Sequence, residues 1–145
     1  MTLLITSGAY ITDELSAEFD LISPSFLPVG NKRLFVLQWE LIHKYVDRIV
    51  LSLPESFNVP YEDKKLIDSL GIETVPIIEN ISLGESIVYA LNLLGLRNEN
   101  VMILHGDTLI TDLPWGKKNV FTVHMTKTFY NWASYSKGED GKLII

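Results

Sequence analysis

The sequence predicts an α/β domain of three layers, a mostly parallel sheet with helices on both faces. Three observations carry that expectation. Short aliphatic or β-branched runs alternate with segments whose apolar residues recur at helical spacing. Glycine or proline closes most of these segments. The connections are short, and strand–helix–strand order with short connections means right-handed crossovers and parallel pairing.

The first strand is LLITSG at 3–8, ending on Gly8. A long segment, 8–32, follows before the first helical pattern at 33–46, where Leu34, Trp39, Leu41, Ile42 and Tyr45 share a face. The second strand is RIVLSLP at 48–54, closed by Pro54. Residues 60–70 open on Pro60, which suits a first helical turn, and stop before Gly71, which suits a left-handed position after a helix. IETVPII at 72–78 is the third strand. At 83–94, Ile87, Val88, Leu91 and Leu94 form a helical stripe that Gly95 ends. NVMILHGD at 100–107 and NVFTVHM at 119–125 read as further strands. Their near-continuous apolar character fits strands covered on both faces. The tail NWASYSKGEDGKLII reads as two strands about Glu139-Asp140-Gly141, an antiparallel addition.

A chain of 145 residues supports one domain with a substantial core, expected here over 1–145. Its final apolar run, Leu143–Ile145, points to the N-terminal part of a longer protein. A net charge of −6 with no Lys/Arg stripe excludes an electrostatic nucleic-acid footprint. Met1–Tyr10 lacks the basic start and small-residue cleavage site of a secretory signal, and no apolar run approaches the ~18 residues of a membrane span. The absence of cysteine removes disulfides and thiolate metal sites, and a cytoplasmic location is expected.

In parallel α/β sheets, ligands sit beyond the carboxyl ends of the strands. That rule selects the loops 8–32, 53–59, 79–83, 106–118 and 126–130, of which the first is the longest. Within them, Gly8 after the first strand, LPVGNKRLF before the first helix, and ILHGDTLI at the end of the fourth strand occur in a telling order. Together they resemble the sugar-phosphate nucleotidylyltransferases, LPVGNK being the most specific piece. The resemblance covers the whole chain and corresponds to the N-terminal half or more of a family catalytic domain. It implies a GT-A-like fold and sugar-nucleotide biosynthesis, of the kind that serves bacterial capsule or surface polysaccharide. In that reaction a nucleoside triphosphate joins a sugar 1-phosphate and releases pyrophosphate. It also implies nucleotide binding at Gly8, Ala9, Glu79, Gly84 and Ser86, and Mg²⁺ at Asp107 with a second carboxylate beyond residue 145.

Several residues depart from the family pattern. Where the family reads Gly-x-Gly-Thr-Arg, this chain has Gly8, Ala9, Tyr10, Ile11 and Thr12, and no arginine precedes Arg33. The family's loop lysine falls at Pro24 or Ser25. Asp13, Glu14, Glu18 and Asp20 make the loop acidic, and each close carboxylate–phosphate pair opposes binding by roughly 1 kcal/mol even in water. The loop also reads as a solvated surface flap. The second function class is therefore a domain that binds a nucleotide-sugar or a partner protein without catalysis.

Each candidate has a structural alternative. Gly84, five residues after Glu79, permits close approach to a flat base, or sits in a first helical turn capped by Asn80 or Ser82. Asp107 suits Mg²⁺, or caps the turn that follows it. His105 is expected to pack, His43 to lie mid-helix and His124 to end a strand. None of the three forms a triad. Lys32 and Arg33, the cations at the long loop's exit, are candidates for touching a phosphate, or read as a solvated pair flanking a helix. Trp115, Tyr130 and Trp132 are candidates for stacking on a sugar or base, or for sealing against further chain.

Overall fold

The computed structural model describes residues 1–117, 119–120, 122–123, 136–137 and 143–144. Contacts group the chain into Met1–Trp115 and Gly116–Ile145. In order, the first unit contains β1 (Thr2–Thr6), α1 (Asp13–Phe19), a 3-10 turn (Pro24–Phe26), β2 (Pro28–Val29), β3 (Lys32–Arg33), α2 (Leu34–Ile42), β4 (Arg48–Pro54), α3 (Tyr61–Ser69), β5 (Ile72–Ile77), α4 (Leu83–Leu93) and β6 (Val101–His105).

Four strands form a parallel sheet in the order β5-β4-β1-β6. Their register explains the run-like hydrophobicity. Leu3, Ile49 and Ile72 share one face, and alternate residues such as Leu4 and Val50 face the other. The first face packs against Phe35 and Ile42 of α2 and Ile67 of α3, and the second against Ala90 of α4. Helices thus flank the sheet on both sides, a Rossmann-like arrangement. Each fully buried Leu or Ile in these layers contributes about 1.5–3 kcal/mol of transfer free energy.

Local chemistry sets the helix ends. Gly71 and Gly95 adopt φ of 66° and 69° directly after the caps of α3 and α4. At Gly95 the exit is doubly bonded: Gly95 N–H donates to Asn92 O and Leu96 N–H to Leu91 O, which satisfies carbonyls left open at the end of α4. Pro60 caps α3 rather than entering its first turn. The helix expected over 33–46 stops at Ile42, and His43 is its C-cap residue instead of a mid-helix residue.

The long segment 8–32 is not a bare loop. Its acidic stretch forms α1, with Asp13 and Glu14 in the first turn, where negative charge complements the helix dipole, and with no buried residue. VGNK forms a hairpin: Val29 pairs with Lys32 across Gly30, whose φ is 63°.

In the second unit, Ser136–Lys137 (β7) pairs antiparallel with Leu143–Ile144 (β8); the turn between them lies outside the described residues. The strand expected over 119–125 is not found at 119, 120, 122 or 123. Asn119 has φ 54°, which breaks an extended run, and Val120 and Val123 are half exposed, without the covering that a sheet would give them. Phe121, His124 and Met125 lie outside the described residues.

Candidate ligand cleft

A cleft of about 380 Å³ opens beyond the carboxyl ends of β1 and β5. Thr6–Tyr10 form one wall, Ile78–Ile81 the other, and Leu83 and Ser86 of α4 close one side. Four sequence-derived candidates therefore meet here: Gly8, Ala9, Glu79 and Ser86. Gly84 and Asp107 are not among the lining residues.

The wall after β1 is fixed from behind. A β-carbon on Gly8 would lie 2.8–3.0 Å from Ile77 Cγ1, Cβ and Cγ2, so glycine here is required by packing of β5 against β1's exit. Beside it, four buried serines tie the loop to the sheet. Ser7 N–H donates to Ser52 Oγ (3.0 Å), and Ser25 N–H donates to Ser7 Oγ (2.9 Å). Ser23 Oγ donates to Ser7 O (2.7 Å), so its single proton is used and Ser7 Oγ must donate back to Ser23 Oγ (2.5 Å). Ser25 Oγ reaches Gly106 O (3.1 Å). The SPSF stretch thus stitches the long segment to the ends of β1 and β6, and Phe26 anchors it against Phe35 and Phe57.

Gln38, fully buried on α2, holds the turn after β6. Its Nε2 faces the carbonyl oxygens of His105 (3.1 Å), Gly106 (3.3 Å) and Thr108 (2.9 Å). Three acceptors force the nitrogen toward them and leave Oε1 without a protein partner among the described residues. Asp107, held in this turn, is exposed, and its Oδ1 accepts from Thr108 Oγ1 (2.9 Å). Gly106 N–H donates to Thr6 O, which sets the Asp107 turn next to a residue of the cleft wall.

The rim is a chain of hydroxyls. Tyr10 OH meets Ser56 Oγ (2.8 Å), and Ser56 Oγ donates to Glu79 Oε1. An ionised carboxylate only accepts, so Ser56 spends its proton on Glu79 and Tyr10 must donate to Ser56. The loops after β1, β4 and β5 are thereby linked in one direction. Tyr10 also packs edge-on to Phe57, and Asn80, at φ 61°, turns the chain directly after Glu79.

The N-terminus of α4 is capped from within. Ser82 Oγ accepts from Glu85 N–H, while Glu85 Oε2 accepts from Ser82 N–H (2.8 Å). The Ser82 hydroxyl and then its backbone N–H hold the Glu85 carboxyl below the usual carboxylate range. Gly84 occupies this first turn with open space around it, and Ser86 Oγ donates to Leu83 O (2.7 Å).

Other expectations need correction. His105 is exposed, not packed: among the described residues no strand pairs with β6 beyond β1, α4 packs mainly on β5, and Ile103 on the same face is 43% exposed too. His43 stacks on Trp39 (3.9 Å, 6°), and its Nδ1 lies 2.9 Å from Trp39 O. Arg33 is no solvated charge: its Nε lies 3.1 Å from both oxygens of Asp63, and it also donates to Phe26 O (2.9 Å). Lys32, by contrast, is solvated beside α2 as expected, and pairs there with the exposed Glu40 (2.6 Å). Trp115 stacks on Tyr45 (4.2 Å, 15°), while Tyr130 and Trp132 lie outside the described residues.

The described lining holds one carboxylate, Glu79, and no Lys, Arg or His. No three His, Asp or Glu side chains converge as a metal cluster among the described residues, and no described helix is long and apolar enough to cross a membrane. Sequence reasoning missed Gln38 and Ser56. Gln38 was detectable as a polar residue on the apolar stripe of Leu34 and Ile42, whereas nothing local marks Ser56. No family model matches the sequence, nor does any curated protein or solved structure.

Proposed function

We propose that this chain is a nucleotide-sugar-recognising domain of nucleotidyltransferase type that binds the nucleoside end of its ligand and does not itself transfer the nucleotidyl group. One observation carries this reading: a cleft at the ligand end of a parallel sheet whose described lining has no cation. Nucleotidyl transfer depends on positive groups that stabilise charge developing at the α-phosphate. Here Tyr10, in the loop after β1, is tied to Ser56, and Lys32 and Arg33 are paired with Glu40 and Asp63. The remaining surface, apolar with a few polar groups, suits a flat base and its ribose. Calorimetry of the complete protein against common nucleotide-sugars, paired with a pyrophosphate-release assay, tests it. Binding without turnover is expected; robust turnover overturns the non-catalytic reading.

A second reading, Mg²⁺-dependent joining of a nucleoside triphosphate to a sugar 1-phosphate, is favoured by Asp107. Its exposed carboxylate, in the turn next to Thr6, matches the one-carboxylate demand of an ion that arrives with substrate phosphates. Asp107 would hold such an ion, which would neutralise phosphate charge. Under this reading Asp107→Asn abolishes pyrophosphate release and spares nucleoside binding.

A further inference from the structure

We infer that Glu79 makes the cleft selective for guanine nucleotides; this rests on the nucleotide-binding reading above and adds the identity of the base. The rim imposes the selection. Glu79 is an acceptor with one oxygen engaged by Ser56, and the second oxygen has no protein partner among the described residues. Tyr10 has given its proton to Ser56, so its oxygen also offers only lone pairs to a ligand. A base that meets this rim has to bring donors.

The four common bases differ sharply on that demand. Guanine presents N1–H and the N2 amino group side by side, two parallel donors that match a carboxylate. Uracil presents one N–H between two carbonyl oxygens, which the carboxylate repels. Adenine and cytosine each place a ring-nitrogen lone pair next to their amino group, so they offer one donor and one repulsion. Charge-assisted, paired contacts are the strong ones, which makes guanine the base this rim stabilises best. The walls agree with a planar occupant: Ile78 and Leu83 are 42% and 48% exposed beside Glu79, apolar area that a stacked base would cover. Asn80, in its left-handed conformation, carries the chain away immediately after Glu79.

The test is calorimetry on the complete protein with GDP, IDP, UDP, ADP and CDP, repeated on Glu79→Gln. GDP is expected to bind tightest. IDP, which lacks only the N2 amino group, should be weaker by about tenfold, the scale of one lost charge-assisted hydrogen bond. In Glu79→Gln the amide offers one acceptor and one donor, so GDP should weaken and UDP should gain, its N3–H and O4 now both matched. A Glu79 that merely held Ser56 would produce no gain for UDP. Equal or tighter binding of UDP, ADP or CDP to the unaltered protein, or an unmoved preference in Glu79→Gln, overturns the guanine assignment and leaves nucleotide binding standing. Binding of none of the five overturns both.

Discussion

Ile77 occupies the space that any side chain on residue 8 would need, with its Cγ1 2.8 Å from the position of a β-carbon there. The glycine after β1 is therefore fixed by the β5 side of the cleft. Gly8→Ala should lower stability by about 1–3 kcal/mol, the usual cost of overpacking. Gly84→Ala, with nothing near its β-carbon and a helical position, should instead stabilise by about 0.4–1 kcal/mol. Urea midpoints with unchanged slopes would show both signs.

Ser7 is the hub of the buried hydroxyl set. Ser7→Ala leaves the Ser25 N–H without its acceptor inside the protein. The expected loss is about 1–3 kcal/mol, the cost of an unsatisfied buried donor. Amide exchange at Ser25 should accelerate more than exchange in α3, which the substitution does not touch.

Two arginine–carboxylate pairs offer a controlled comparison. Asp63 is only 11% exposed and meets Arg33, whereas Glu73 is 52% exposed and meets Arg48. Asp63→Asn should cost about 1.5–3 kcal/mol, as for hydrogen bonds to charged groups in partial burial. Glu73→Gln should cost at most about 1 kcal/mol, because water screens the pair. Chemical denaturation of the two variants at one salt concentration decides the ordering.

Acid should act on the start of α4. Glu85 has its carboxyl pKa lowered by its bonds to Ser82, so its contribution is fully present above the ordinary glutamate range and is lost as pH falls through the depressed value. Glu73, lowered by Arg48, follows the same sign. Glu85→Gln should therefore flatten the acid limb of a stability–pH curve, measured by thermal melts from pH 7 down to about 3. A limb of unchanged steepness would contradict the capping role.

The strands of the main sheet and the helices after β4 and β5 were legible because their signals are local: apolar runs, a helical stripe, and glycines that adopt positive φ at helix exits. The cleft was half legible. Gly8, Ala9, Glu79 and Ser86 meet because the carboxyl-end rule applies to any parallel sheet. Why Gly8 is glycine was not legible, since Ile77 is distant in sequence. The roles of Gln38, Ser25 and Ser56 depend on partners 18 to 81 residues away, which no local pattern encodes. The expected strand at 119–125 failed where Asn119 takes a left-handed turn that apolar composition alone does not reveal.

Amide chemical-shift mapping of the complete protein during titration with nucleotide-sugars reads out whether the cleft beyond β1 and β5 takes such a ligand. Saturable shifts are expected at Ala9, Asn80 and Ser86, with α1 and the 28–33 hairpin unmoved. Shifts centred elsewhere, or none with any nucleotide-sugar at millimolar concentration, would contradict binding in this cleft.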